Sequence, residues 1–456
     1  MTAKDIAPRV RQRTGFAAFL ILWSGGFISA IGSGLTSFGL GVYAYQTTGR
    51  ASATAIVMLT AFLPNILLGA FAGVLADAHD RRLLMVAGDG LSAIGLVYIL
   101  WCLRDGHAQI WQICLGVALS SVFASLLDPA FKATISDLLT SDQYTRASGM
   151  VQIMGSAKYL ISPALAGFLL AAYDIRLLLI IDIATLAVTM TMTLVVRHSL
   201  MVANRNGHTE AGRGEDDSDK HQPDGDNTPP RLTRAFSDGW AVVTGNRGIF
   251  VLVWMAAVIT FCLGVLETLL TPLVLAFTTA SVLGTLETVA ALGLLAPSIA
   301  LGILPIRGRH TDILAASLFA AGACMVGFGI RESAVLIGAT GFLVFAMMPF
   351  ANACLDYLIR TNIPDQFQGR AWGLIGVLSQ LGYVAAYASS GIITDHVFAP
   401  LLRDGGLLAN SLGRLVGTGP GRGAALCVIV AGLSLCVAAS AIFRAGSVRK
   451  LERVNH

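Results

Sequence analysis

Apolar runs of membrane-crossing length, rather than amphipathic periodicity, set the pattern of this chain. Thirty-six consecutive residues between Arg13 and Arg50 carry no formal charge, and 26 more follow before Asp77. A helix that crosses a bilayer needs about 20 mostly apolar residues, so each run predicts one crossing. Comparable runs occupy residues 83–103, 110–133, 147–172 and 177–196. After a polar stretch, six more begin near Gly248, Val282, Ile313, Ala334, Ala371 and Gly423. The pattern predicts an all-α membrane protein of twelve transmembrane helices, with Asp89 as a charge inside the third.

Residues 197–247 break the pattern. Their centre reads EDDSDKHQPDGDNTPP, a composition that cannot bury enough apolar surface to fold. The segment is expected to be a disordered cytoplasmic linker between two six-helix halves, 1–196 and 248–456. The halves carry traces of duplication. Residues 142–149 read DQYTRASG and residues 365–373 read DQFQGRAWG, each just before an odd-numbered span. Pro129 and Pro349 mark matching places in the spans upstream. A second long loop, 395–422, mixes apolar patches with glycines and is expected at the membrane interface.

Composition narrows the function. The chain is 55% hydrophobic and 13% charged, about half the charge of an average soluble protein, with a mean hydropathy of +0.71. A soluble enzyme and a nucleic-acid binder are excluded. Seven cysteines make an odd count, most of them inside apolar runs, where they act as small hydrophobes rather than a disulfide framework. The first apolar run is too long for a cleaved signal peptide. With the N-terminus in the cytoplasm, cytoplasmic segments hold 23 Lys and Arg against 7 outside, and Lys158 lies within a span. The positive-inside rule therefore puts both termini in the cytoplasm of a multi-pass plasma-membrane protein. An excess of Arg over Lys, 26 to 5, points to a GC-rich bacterial genome.

The turn between the second and third spans reads GVLADAHDRR, residues 73–82. It resembles the loop signature of the major facilitator superfamily, G-x-x-x-D-x-x-G-R-[KR]. Gly73, Asp77, Arg81 and Arg82 match, while Asp80 stands where the common pattern has glycine. The Asp80-Arg81-Arg82 form is similar to the branch containing the macrolide efflux proteins and the enterobactin-type siderophore exporters. GSGLTSFGL at 32–40, DP-x-F-K from Asp128 and GPGRG at 419–423 extend the likeness across the chain.

That resemblance implies a monomeric transporter of two pseudo-symmetric halves, with spans one, four, seven and ten lining a central cavity. It also implies a conformational latch that favours the outward-facing state. Asp77 would face the N-terminal end of span eleven near Arg370 and Ala371, where free backbone N–H groups favour an anion. Arg81 or Arg82 would pair with Asp137 at the cytoplasmic end of span four. The second half has only RGRH at 307–310, with no matching acid, so its latch is expected to be weak or absent. Two departures stand out. The arginine that drug antiporters of this superfamily often carry in span four is missing from 110–127. The antiporter signature of span five appears as Ser162-Pro163-Ala164-Leu165-Ala166-Gly167, which keeps Pro163 and Gly167 as a candidate gate hinge.

Charges inside spans supply the remaining candidates, because one at the bilayer centre costs about 2.5–3.5 kcal/mol on insertion scales and needs a partner or a wet cavity. Glu267 in span seven and Glu287 toward the outer end of span eight are the proton-coupling candidates, since a buried carboxyl holds a proton more readily. A structural hydrogen bond or an acid at the lipid interface is the alternative for Glu267. Lys158 and Asp182 are expected to neutralise each other as an inter-helix pair. Asp128, Asp356, Ser33 and Ser121 are cavity candidates. The two acids would attract a cationic substrate or belong with Asp89 to cytoplasmic charge networks, and the serines would bond substrate or their own helix carbonyls.

These readings point to a secondary active exporter of a bulky apolar or amphipathic small molecule, such as a drug, an antibiotic or a siderophore-like metabolite. Proton antiport with alternating access would drive it. An uptake carrier or facilitator for a small metabolite is the rival. None of the lysines Lys4, Lys132, Lys158, Lys220 and Lys450 stands in a GK[ST] context, which argues against an ATP-driven pump. The eight histidines lie in loops or at span ends, so no metal or other cofactor is expected. The expected partners are the substrate, protons and the lipid bilayer.

Overall fold

The computed structural model describes residues 3–106, 108–211, 240–241, 243–304, 306, 308–444 and 446–453; for residues 3–14, 70, 77, 105, 141, 200, 202–211, 365–367, 369–370, 447 and 453 it describes the backbone alone. Among the described residues, twelve helices are long and apolar enough to cross a membrane. In the first half they are α1 (Ala3–Thr48), α2 (Ala51–Ala78), α3 (Arg81–Cys102), α4 (Ile110–Leu138), α5 (Tyr144–Ala172) and α6 (Ile175–Ala211). In the second they are α7 (Arg247–Leu275), α8 (Ala280–Ile303), α9 (His310–Ile330), α10 (Ala334–Arg360), α11 (Asp365–Ile393) and α12 (Arg422–Arg444). A π-helical turn, Thr394–Phe398, carries α11 onward, and a short helix α13 (Gly446–Arg453) ends the described chain.

Hydropathy placed the crossings, but caps and prolines set their ends. Helix α3 starts at Arg81 because Asp80 accepts a hydrogen bond from the Arg82 N–H at 3.1 Å. Asn246 caps α7 in the same way, through the Gly248 N–H at 2.9 Å. Helix α11 begins directly after Pro364, earlier than the expected Ala371. Pro129 and Pro163 have no N–H to return to Ser125 and Tyr159, and both helices break there, α4 after Ala124 and α5 at Ile161. Helix α6 runs past the expected boundary at residue 196 to Ala211, so the polar segment begins as helix. Residues 212–239, which carry most of the expected disordered linker, lie outside the described residues.

The second half packs around a continuous core that includes Leu252, Leu269, Leu318, Met325 and Leu358. The first half has two smaller cores, one around Ile99, Ile113 and Leu179, the other around Phe19, Met85 and Phe131. Across the junction, α2 packs on α11, α5 on α8, and α1 on α7. These contacts tighten at the bundle face away from the termini. A Cβ built on Gly391 would lie 2.6 Å from Ser52 Cα, and one on Gly284 2.0 Å from the Pro163 carbonyl oxygen. Toward the face that carries the termini no comparably close approach occurs at the glycines of α2, α8 and α11. No atom lies within 4 Å of a Cβ built on Gly69, Gly73, Gly302, Gly373 or Gly376. The halves meet closely at the far face, and these termini-face glycines make no such contact.

Two ties hold the ends of the second half. Glu452 on α13 accepts from the His310 N–H at 2.6 Å, capping α9, while His310 stacks on Tyr357 with ring centroids 3.8 Å apart. The cap that the 307–310 loop lacks thus comes from the end of the chain. At the far face Arg422, 2% exposed, donates to the Val416 carbonyl at 2.7 Å and forms an ion pair with the Glu332 carboxylate at 2.9 Å. A buried guanidinium is stabilised only through such partners. Arg422→Gln is expected to release the 402–421 loop and lower stability by about 2–4 kcal/mol. Thermal unfolding of the purified protein in detergent reads this directly; a midpoint equal to the parent's would refute the tie.

Candidate functional site

The strongest chemistry gathers where the halves meet. On α7, Glu267 is exposed to the space between them, and its Oε2 accepts a hydrogen bond from the Tyr387 hydroxyl of α11 at 2.7 Å. Glu287 on α8 and Lys158 on α5 both lie within electrostatic range of Glu267. One residue on from Glu287, Thr288 donates to the Leu160 carbonyl of α5 at 3.1 Å, a direct bond across the halves. Phe62 of α2 closes the cluster edge-on. Its ring centroid is 5.6 Å from that of Tyr383 and 5.3 Å from that of Tyr387, inside the range of favourable aromatic pairs. Two carboxylates, one ammonium and three rings from five helices therefore share one site, beneath the closed far face.

Lys158 lies within electrostatic range of both Glu267 and the expected partner Asp182. Its ammonium lies 5.8 Å from the Tyr159 ring centroid, and no ion pair within 4 Å joins it to Asp182. Asp182 is 2% exposed and sits against Gly32 and Thr185 of the first half. It remains within electrostatic range of Lys158, with α1 packed tightly against α6 beside it. Asp89, expected in a cytoplasmic charge network, is instead 1% exposed inside the first half.

The loop residues take definite places. Arg81 pairs with Asp137 and also donates to the Ala133 carbonyl at 3.0 Å. Arg82 does not share that pair; its contribution is the N–H that Asp80 caps. Gly73 faces open space, and the Asp77 side chain lies outside the described residues. The departure at Asp80 has a physical reason, because its second oxygen accepts from Arg197 Nε on α6 at 2.9 Å. Glycine could make neither bond. Burial disfavours ionisation at Asp80, but Arg197 and the N–H groups of Arg82 and Leu83 outweigh it and hold the carboxyl below its ordinary value. A depressed carboxyl adds stability above its unfolded pKa of about 3.9, and that stability disappears as pH falls through the lower folded value. Asp80→Asn keeps the cap and loses the charge, so it should cost at most about 1 kcal/mol at pH 6 and nothing once the parent is protonated. Thermal midpoints of the two proteins from pH 6 down to pH 3 test this; a gap that widens toward low pH would contradict it.

The other candidates divide. Pro163 and Gly167 lie on the α5–α8 contact, against Gly284 and Ala280. Asp128 is exposed and pairs with Lys132 one turn along its own helix at 2.6 Å. Asp356 is exposed near the termini-face end of α10, with Arg360 in electrostatic range. Ser33 is half-buried on α1, and Ser121 is buried within α4. None of these last four joins the Glu267 cluster. Reading the sequence missed Phe62, Tyr383 and Tyr387. The two tyrosines sit four residues apart on α11, a spacing that places them on one helix face.

Residues 22–387 match the family model described as Major Facilitator Superfamily. Macrolide efflux protein A of Streptococcus pyogenes is 22% identical over 397 residues, which cover 83% of this chain and 90% of that protein. Macrolide efflux protein A of Enterococcus faecalis is 23% identical over 341 residues, covering 71% and 95%. Among solved structures, a bacterial homolog of the human lysosomal transporter Spinster, in an inward-facing and unoccupied conformation, aligns with a TM-score of 0.67. It is 13% identical and covers 96% of this chain and 98% of its own. The nucleoside transporter NupG aligns with the same TM-score and identity over 94% and 99%. A family match over most of the chain, a matching fold and twelve crossing helices in two halves converge: the chain is a membrane transporter of the major facilitator superfamily, similar to its macrolide efflux branch.

Proposed function

We propose that the protein exports a bulky, apolar or amphipathic small molecule in exchange for protons, working as a monomer in the bacterial inner membrane with both termini in the cytoplasm. The halves 1–196 and 248–456 would rock about the midplane site, and the structure would then be the inward-open state. The observation that carries this reading is the Glu267–Tyr387 bond at the junction of the halves. A titratable carboxylate, held by a helix that also forms the closed gate, can exchange protons with one side at a time. Glu267 would carry the coupling proton, and Glu287 and Lys158 would set the charge around it. Asp77, with Gly73 and Arg82, would complete the cytoplasmic latch in the opposite state; Arg81 and Asp137, already paired in this one, would hold the loop in place for it, and Pro163 and Gly167 would be the hinge of the gate. Efflux by the relatives supports export over uptake.

Energised inverted vesicles test the reading. Export predicts that they accumulate a macrolide such as erythromycin and lose it when an uncoupler is added. Accumulation that ignores the uncoupler would remove proton antiport, and accumulation only in right-side-out vesicles would reverse the direction.

A further inference from the structure

Helix α2 starts with a capping problem. Its N-cap residue is Arg50, whose side chain makes no capping bond, so the first N–H groups of the helix lack a local acceptor. Asp395, from the other half, supplies it. One carboxylate oxygen accepts from the Ala51 N–H at 3.0 Å and the other from the Ser52 N–H at 2.9 Å. The contact lies on one stripe of α11 and its continuation. Tyr387, Gly391 and Asp395 follow at four-residue spacing, and they meet Phe62, then Ser52 and Ala55, then the tip of α2. The stripe runs from the Glu267 site to the far face.

We propose that Asp395 is an external latch that holds the far face closed by capping α2 across the halves. This rests on the alternating-access reading above. The contact joins residues of opposite halves at the face where they touch, so it exists only in the state closed on that side. A carboxylate on two helix N-terminal N–H groups combines charge-assisted bonds with a favourable macrodipole. Helices α2 and α11 run antiparallel, and Asp77 ends α2 on the opposite side of the membrane. Each helix would therefore carry, at its C-terminal end, the acid that caps the other, one acid engaged in each state.

The test uses the full-length chain with its seven cysteines replaced, reconstituted in lipid and spin-labelled in two separate pairs. Tyr173→Cys with Leu407→Cys spans the far face, and His79→Cys with Thr361→Cys spans the termini face. Double electron–electron resonance then reads both separations. Asp395→Ala is expected to raise the ratio of far-face-open to far-face-closed molecules about tenfold, which is ~1.4 kcal/mol, with a matching short population at the termini face. Asp395→Asn, which keeps one acceptor oxygen, should fall between. Unchanged distances in both variants would overturn the latch, even if the vesicle assay upholds proton-driven export. So would far-face widening without termini-face shortening, because that marks local fraying of the α2 tip. A failure of export with the distance shifts intact would instead strike the transport reading alone.

Discussion

Glu267→Gln is expected to abolish uphill, uncoupler-sensitive transport while leaving the fold and downhill substrate exchange in place. Glutamine has nearly the shape of glutamate, and its carbonyl oxygen can still accept from Tyr387 where Oε2 now does at 2.7 Å. What it lacks is a proton to bind and release. One charge moved through 100 mV is worth ~2.3 kcal/mol, roughly a 50-fold concentration ratio. Steady-state accumulation in inverted vesicles should fall by about that factor for each proton the carboxyl couples. Tyr387→Phe separates coupling from positioning. It keeps the ring against Phe62 and Tyr383 but removes the donor, so a reduction of about tenfold or more is expected, in keeping with loss of one hydrogen bond to a charged group, worth about 1.5–3 kcal/mol. If Glu267→Gln accumulates substrate as the parent does, the coupling proton lies elsewhere, and Glu287 becomes the first group to replace.

Glu267 was legible in the sequence for a simple reason: a carboxylate amid apolar residues is costly wherever it points, so its presence in a span is itself a signal. Its partners carried no such signal. Tyr387 and Phe62 are ordinary residues of apolar helices, and only the α2–α11 packing makes them neighbours. Lys158 shows the limit most clearly. Proximity along the chain suggested Asp182, but Lys158 also lies within electrostatic range of Glu267 in the other half. Such proximity depends on how the halves dock, which hydropathy does not encode. The twelve crossings were readable because burial in lipid demands long apolar runs. Their ends were less so, since a side-chain oxygen at Asp80 or Asn246 decides where α3 and α7 begin. Asp395 was assigned to a loop because it is charged and follows an apolar run. Its role comes from an N–H pair more than 300 residues earlier in the chain, a pairing that no local pattern announces.

The far-face gate yields the second large effect. At Gly284, α8 approaches α5 so closely that an added methyl would sit 2.0 Å from the Pro163 carbonyl oxygen and 2.8 Å from its carbon. Both are backbone atoms, and no side-chain rotation can clear them. Gly167 mirrors the problem, with its Cβ position 2.5 Å from the Ala280 carbonyl oxygen. Gly284→Ala must therefore push the two helices apart. Overpacking of this kind costs about 1–3 kcal/mol, equivalent to a shift of about 5- to 150-fold between two states. The clash crosses the halves and exists only with the far face closed, so it should leave each half folded and penalise that state alone. The expected outcome is a far-face-open population by spin-label distances between Tyr173→Cys and Leu407→Cys. Turnover should drop by a comparable factor, about fivefold or more, because each cycle must pass through the penalised state. Gly284→Val should be worse. Gly376→Ala is the contrast, since nothing lies within 4 Å of a methyl there, and it should leave the closed far face as populated as in the parent. A Gly284→Ala protein with parental turnover and parental distances would mean that the α5–α8 crossing is not part of the gate.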